Sequence, residues 1–131
     1  EEILRVTRAE AYLHRNEEAT LGRPAGENIL PIQEETRFQV GRFSIRPLET
    51  PGHTPGGTSY LVKEEDRAVA FVGDALFAGS VGRCRSPESY PLLLEGIRRK
   101  IFSLENHTIL YPGHGPATTV GEEKLHNPFF P

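Results

Sequence analysis

The chain has 131 residues, a hydrophobic fraction of 37%, a charged fraction of 25% and a formal net charge of −3. This composition supplies apolar residues for one core and excludes a disordered chain, so we predict a single domain over residues 1–131. The slight acidic excess and the lack of a long apolar run argue against nucleic-acid and membrane partners, and the lone Cys84 excludes an internal disulfide and favours a cytoplasmic location.

Short elements joined by turns are predicted for the N-terminal part, because glycine and proline are frequent throughout. In chain order these are the end of a helix over residues 1–8, a strand over Glu10–His14, a helical turn over Asn16–Leu21 and a loop over Gly22–Asn28. The chain begins at Glu1, which we take to indicate a processed form or a piece of a longer protein.

Two strand pairs follow. Thr36–Val40 and Phe43–Leu48 flank a two-residue turn that starts with Gly41, which predicts a β-hairpin. Thr58–Lys63 and Ala68–Gly73 flank a charged turn in the same way. The second strand of this pair reads AVAFVG and is nearly all apolar, so we predict that it is buried.

One long helix and a short closing helix complete the pattern. Ser86 is predicted to cap the long helix, with Pro87 at its first position. Its apolar residues recur at helical spacing: Leu93, Leu94, Ile97, Ile101 and Leu104. A strand over Thr108–Tyr111, a helix over Thr119–Leu125 and a tail anchored by Phe129 and Phe130 follow. Strands interrupted by a long helix predict a layered α/β domain.

Three motifs place a metal-ligand residue in a turn directly after a predicted strand. They are TPGHTPGG around His53, VGD ending at Asp74, and YPGHGP around His114. Proline restricts the backbone φ angle and glycine permits a tight turn, so the metal-ligand side chain is held with little freedom. A lone histidine in such a turn is often structural, and an aspartate after glycine often caps a turn. The three together favour a site for Zn²⁺, Fe²⁺ or Mn²⁺.

These motifs, together with AGSVGR after GDALF and HNPFF near the end, resemble the metallo-β-lactamase-fold hydrolases, most closely the glyoxalase II-like hydroxyacylglutathione hydrolases. The resemblance implies an αββα sandwich with two zinc ions, iron or manganese being the alternatives. It implies that His53 binds the first metal, that Asp74 bridges both metals as the catalytic carboxylate, and that His114 binds the second. The implied reaction is attack of a metal-bound hydroxide on a small thioester or ester.

One signature of that family, His-x-His-x-Asp-His, is absent from this sequence. The chain resembles the portion that follows this signature, so we expect the fold to lack its N-terminal part and to leave apolar sheet surface uncovered. With Asp74 shared, each metal would have two ligands from this chain, whereas catalytic zinc usually has about three protein ligands. We expect the others to come from an N-terminal segment or a homo-oligomer partner. The alternative is a catalytically inactive remnant, or a binding or assembly module.

A loop after Asp74 carries Arg83, which the resemblance implies as a substrate-binding residue for the glutathione moiety. A solvated surface arginine is the competing interpretation. The adjacent Cys84-Arg85 departs from the family pattern, which argues against glutathione specificity. Persulfide dioxygenase, lactonase and β-lactamase chemistry of the same fold stay open, because the ligand set does not separate them. Cys84 itself lacks an obvious base and is taken as incidental.

Overall fold

The computed structural model describes residues 6–7, 9–21 and 29–131. The loop predicted for Gly22–Asn28 and most of the helix end predicted for residues 1–8 lie outside this range. The strands are β1 (Ala11–His14), β2 (Ile29–Ile32), β3 (Phe38–Val40), β4 (Phe43–Glu49), β5 (Thr58–Glu64), β6 (Arg67–Gly73), β7 (Leu76–Phe77), β8 (Ser80–Val81), β9 (Ile109–Pro112) and β10 (Thr118–Thr119). The helices are a 3₁₀ helix (Arg15–Leu21), α1 (Ser89–Gly96) with a π-helical extension (Ile97–Ile101), and α2 (Val120–His126).

The central feature of the described chain is a six-stranded sheet in the order β10-β9-β6-β5-β4-β3. Its strand pairs are antiparallel except β6 and β9, which are parallel. Because β4 and β6 are both antiparallel to β5, strands β4, β6 and β9 run in the same direction. Their C-terminal ends therefore lie at one edge of the sheet.

Both predicted strand pairs are confirmed. Val40 pairs with Phe43 across the two-residue turn, and Gly41 has a φ of 59°, which glycine adopts readily. The pairing of β1 with β2 is parallel and involves a strand that the sequence did not predict. β2 reads ILPI, and its proline weakens the strand signal.

One face of the sheet packs against α1 and its extension. Residues of the two layers form a single core cluster: Leu48, Leu61, Ala70, Val72, Ala75, Leu76, Leu93, Ile97, Ile101, Leu110, Val120 and Phe130. The predicted apolar positions of the long helix are confirmed, because Leu93, Ile97 and Ile101 are fully buried. The helix begins at Ser89 and not at Ser86, since the Ser86 carbonyl first closes a turn with the Ser89 N–H (3.2 Å).

The opposite face of the sheet carries apolar residues that remain exposed in the described chain. Cross-strand pairing places the exposed Phe71 beside the exposed Tyr111, and the same row continues through the half-buried Tyr60 to the buried Pro47. Phe71 is 49% exposed and stacks on Tyr111, with ring centroids 5.5 Å apart. The prediction that β6 is buried was therefore wrong for one face: Ala70 and Val72 are buried, whereas Phe71 is not.

The chain end is fixed mainly through Phe130, which packs edge-on against Phe102 with centroids 4.7 Å apart. Phe129 is 36% exposed, so the predicted anchoring by both phenylalanines holds for Phe130 alone. Thr119 caps α2 by accepting a hydrogen bond from the Glu122 N–H. In the described ranges, no helix is both long and apolar enough to cross a membrane.

Candidate metal centre

The shared edge of β4, β6 and β9 brings the three predicted donors together. His53 lies in the loop after β4, Asp74 directly follows β6, and His114 follows β9 by two residues. Parallel strand direction makes this possible, because residues that follow such strands emerge at the same edge.

Asp74 lies between the two histidines. Its Oδ1 is 2.9 Å from His114 Nδ1, and its Oδ2 is 3.7 Å from His53 Nε2. The shorter distance is a hydrogen bond in which the histidine N–H donates to the carboxylate. The longer distance exceeds a hydrogen bond but is compatible with two atoms that each lie about 2.0–2.2 Å from one zinc ion.

The tautomer of His53 follows from its other contact. Its Nδ1 is 2.8 Å from the carbonyl oxygen of Arg83. A carbonyl can only accept, so Nδ1 carries a proton, and in the neutral imidazole the lone pair is then on Nε2, which faces Asp74. Metal-binding histidines commonly have this arrangement, in which the second ring nitrogen donates to a backbone carbonyl.

Glycines allow the close contacts around Asp74. Gly73 has a φ of 52° and turns the chain as it leaves β6. The Gly113 N–H donates to the Gly73 carbonyl (2.9 Å), which joins the ends of β9 and β6. A side chain at Gly113 would collide with Asp74 Oδ1, and one at Gly82 would collide with the Asp74 carbonyl.

The chemistry of the donor set fits part of a metal centre. Two imidazoles and a carboxylate are suitable zinc or iron ligands. The described residues nevertheless contain no group of three or more His, Cys, Asp or Glu side chains arranged around a single metal position. His53 and His114 each approach a different oxygen of Asp74.

Comparison with known proteins decides the family. The profile of the metallo-beta-lactamase superfamily matches residues 1–114. The chain belongs to this superfamily.

Relatives in the superfamily include hydrolases of defined and undefined substrate. The chain is 42% identical over 111 residues to a probable metallo-hydrolase of Streptococcus pyogenes, covering 84% of this chain and 46% of that protein. It is 41% identical over 98 residues to the hydroxyacylglutathione hydrolase GloC of Haemophilus influenzae, covering 74% and 45%. It is also 33% identical over 102 residues to the mitochondrial persulfide dioxygenase ETHE1 of Bos taurus, covering 74% and 39%. The chain thus spans about half the length of the first two relatives.

Solved structures confirm the predicted α/β metallo-β-lactamase fold. A metallo-beta-lactamase from Staphylococcus aureus superposes with a TM-score of 0.86 at 28% identity, covering 98% of this chain and 43% of that one. TTHA1623 in a di-iron-bound form superposes with a TM-score of 0.69 at 28% identity, covering 98% and 69%. Members of this fold family bind metal, and the match to less than half of the first structure agrees with the prediction that part of the fold is not represented in this chain.

The three predicted ligand side chains differ in solvent exposure. The side chain of His114 is 78% exposed, that of His53 38% and that of Asp74 25%. A cavity of about 340 Å³ is lined by residues of the loops after β4 and β6, including His53, Thr54 and Asp74. Arg83 contacts the site through its carbonyl, and its side chain is exposed.

The sequence did not predict several hydrogen-bond acceptors that hold the loops of the candidate site in place. The Arg83 carbonyl was missed because every residue carries one, so only the folded loop reveals its role. Glu17 and Glu123 were also missed. The Glu17 carboxylate accepts from the Gly56 N–H at 2.6 Å, and the Glu123 carboxylate accepts from the Gly79 N–H at 3.0 Å. Both contacts join residues about forty positions apart, and no local motif signals them.

Proposed function

We propose that this chain supplies three ligands of a two-metal centre that hydrolyses thioesters of the hydroxyacylglutathione type. The observation that carries the proposal is Asp74 lying between His53 and His114, with His53 Nδ1 held by the Arg83 carbonyl. The identity to GloC over 74% of the chain supports the choice of thioester.

Within this proposal, Asp74 would bridge two metal ions, zinc or alternatively iron or manganese, with one histidine on each side. A metal pair supplies Lewis-acid polarisation of a carbonyl and activation of water. The Arg83 carbonyl keeps the His53 proton on Nδ1, so that Nε2 stays available as a metal ligand. Gly82 and Gly113 leave room for the Asp74 backbone and carboxylate.

The three residues do not complete the ligand set. Catalytic zinc usually has about three protein ligands, and with Asp74 shared this chain gives two per metal. We propose that the others come from a segment N-terminal to the matched region or from a second copy. The exposed face around Phe71 and Tyr111 offers apolar surface for such a counterpart.

Arg83 is proposed to hold a carboxylate of the substrate. Its exposed side chain has no ion pair or hydrogen bond within the described residues, and its backbone carbonyl contacts His53. A guanidinium recognises a carboxylate through paired hydrogen bonds, which suits the glutathione part of the substrate. A cytoplasmic location, where glutathione conjugates occur, is part of the same proposal.

The test is metal content together with hydrolysis of a hydroxyacylglutathione by the native protein, purified without chelators. We expect about two metals per chain. Asp74→Ala should lose metal from both positions and nearly all activity, whereas Asp66→Ala, at the exposed turn between β5 and β6, should lose neither. Full activity in Asp74→Ala would refute the bridging role.

Three other outcomes select different functions. One iron per chain with oxidation of a persulfide, and no thioester hydrolysis, would favour the chemistry of the relative ETHE1. No bound metal and no activity would favour the inactive remnant or binding module. Lactonase activity with two metals would retain the centre and change the substrate.

A further inference from the structure

The 3₁₀ helix that follows β1 packs directly on the loop that carries His53. The Glu17 Oε1 accepts a hydrogen bond from the Gly56 N–H at 2.6 Å, and the Asn16 side-chain amide donates to the Pro55 carbonyl at 3.4 Å. These contacts span 39 residues of sequence. They are therefore tertiary contacts that join two separate parts of the fold at the site.

The packing at this point is close. Gly56 is buried, and a Cβ built on it would lie 2.6 Å from His14 Nδ1 and 2.8 Å from Glu17 Cγ. His14 is itself fixed, because its Nδ1 accepts from the Asn16 N–H (3.1 Å) and its Nε2 lies 3.6 Å from Glu49 Oε1. The carboxylate of Glu17 therefore meets the loop from a supported position.

The His53 loop has backbone hydrogen bonds of its own. The Thr50 N–H donates to the Gly57 carbonyl (2.8 Å), which closes the loop at its base. The Gly52 and Gly57 N–H groups both donate to the Thr54 carbonyl, at 3.0 and 3.2 Å. The Gly56 N–H instead donates to the Glu17 carboxylate, so a side chain from outside the loop fixes the loop at this amide.

We propose that Glu17 is a positioning residue for His53, acting through the Gly56 amide. This inference rests on the proposed function for its effect on metal binding, because His53 is assigned as a ligand there. A hydrogen bond to an ionised acceptor is about twice as strong as a neutral one, and the contact lies three residues from the ligand. Loss of it frees the loop to move His53 relative to Asp74.

The first experiment measures hydrogen exchange of the Gly56 amide in the metal-free native protein. Glu17→Ala should speed this exchange about tenfold, as expected for the loss of one charge-assisted hydrogen bond. Glu17→Asp keeps the charge but shortens the side chain, so it should behave like the alanine variant. Glu17→Gln keeps an acceptor oxygen and should restore most of the protection. Glu18→Ala, at the exposed neighbour, is the control and should leave the exchange unchanged.

The second experiment follows His53 itself. In the same metal-free variants, the imidazole ¹⁵N signals of His53 should shift in Glu17→Ala and Glu17→Asp and stay in place in Glu18→Ala. Zinc affinity, measured by competition with a chromogenic chelator, should weaken about tenfold in the first two variants, a magnitude typical of outer-shell partners of metal ligands. Glu17→Gln should lie close to the unsubstituted protein.

The outcomes separate this inference from the proposed function. Unchanged Gly56 exchange in both Glu17→Ala and Glu17→Asp overturns the inference whatever the metal content. Faster exchange with unmoved His53 signals overturns the positioning role, and equal effects in Glu18→Ala would mean general destabilisation and also overturn it. If the native protein binds none of zinc, iron and manganese, the proposed function fails, while the exchange and ¹⁵N measurements still decide the role of Glu17.

Discussion

Glu123 provides the sharpest test of how the fold supports the loop after Asp74. Its side chain is in α2, is 1% exposed and accepts three hydrogen bonds. Oε2 accepts from the Gly79 N–H (3.0 Å) and Asn127 Nδ2 (2.7 Å), and Oε1 accepts from Thr118 Oγ1 (2.7 Å). Asn127 also donates to the Ser80 carbonyl (3.1 Å), so the helix fixes the β7–β8 turn at two points.

The expected cost of Glu123→Ala follows from what happens to each donor. Asn127 is 4% exposed, so its lost partner leaves a buried donor at a cost of about 1–3 kcal/mol. Gly79 is an exposed residue and Thr118 is half-buried, so both donors can bond to water instead, at a cost of about 0.5–1.5 kcal/mol each. We expect a total loss of about 3 kcal/mol in the free energy of unfolding, or about 1.5 M in the urea midpoint for an m-value of about 2 kcal/mol/M.

Glu123→Gln should cost only about 1 kcal/mol. Its amide oxygen can keep the two bonds of Oε2, and its NH₂ can donate to the Thr118 hydroxyl, which also accepts. The assay is urea unfolding of the native protein, followed by circular dichroism. Glu122→Ala, on the exposed side of the same helix, is the control. This explanation would be refuted if Glu123→Ala lowered the free energy of unfolding no more than the control does. It would also be refuted if Glu123→Gln lowered it as much as Glu123→Ala does.

Three further predictions concern the site. Burial raises the pKa of the Cys84 thiol, so its alkylation by iodoacetamide should be slow at neutral pH. Mass spectrometry should show the alkylation rate rising only at a higher pH than in an unfolded control. Rapid labelling at neutral pH would contradict this. Gly113→Ala should displace the Asp74 carboxylate and weaken metal binding in a chelator competition, whereas Gly115→Ala, with no atom near its added Cβ, should affect stability more than metal binding. Arg83→Ala keeps the carbonyl that contacts His53, so it should raise KM about tenfold with kcat nearly unchanged. The control Arg85→Ala should leave KM unchanged. A decrease in kcat alone in Arg83→Ala would count against a role of Arg83 in substrate binding.

Local signals in the sequence predicted most of the sheet. The Gly41 turn and the alternation around it fixed the register of β3 and β4, because both depend on adjacent residues. The parallel pairing of β1 with β2 was not predictable in this way, because parallel partners are distant in sequence and leave no turn motif. The burial of β6 was overestimated at Phe71. An apolar side chain shows that burial would be favourable, but it does not show that another part of the chain packs on that face of the sheet.

The sequence singles out His53, Asp74 and His114 as candidate metal ligands, but it does not predict most of their surroundings. Each donor lies in a proline- or glycine-rich turn or directly after a strand, which is visible in sequence. Their proximity depends on β4, β6 and β9 running in one direction, which only the topology reveals. The functional roles of His53, Asp74, His114 and Arg83 stay predictions until metal binding and kinetics are measured.

The three donors are not held equally, and the differences follow from the fold. The His53 loop has its own backbone hydrogen bonds, the Arg83 carbonyl on its imidazole and Glu17 on its far side. Asp74 directly follows Gly73, whose carbonyl accepts the hydrogen bond from Gly113, and its carboxylate occupies the space that a side chain at Gly113 would take. His114 is 78% exposed, and its imidazole has a single hydrogen bond among the described residues, to Asp74. In the proposed centre, His53 would therefore be pre-organised by this chain, whereas the position of His114 would depend on Asp74 and on the further ligands proposed above.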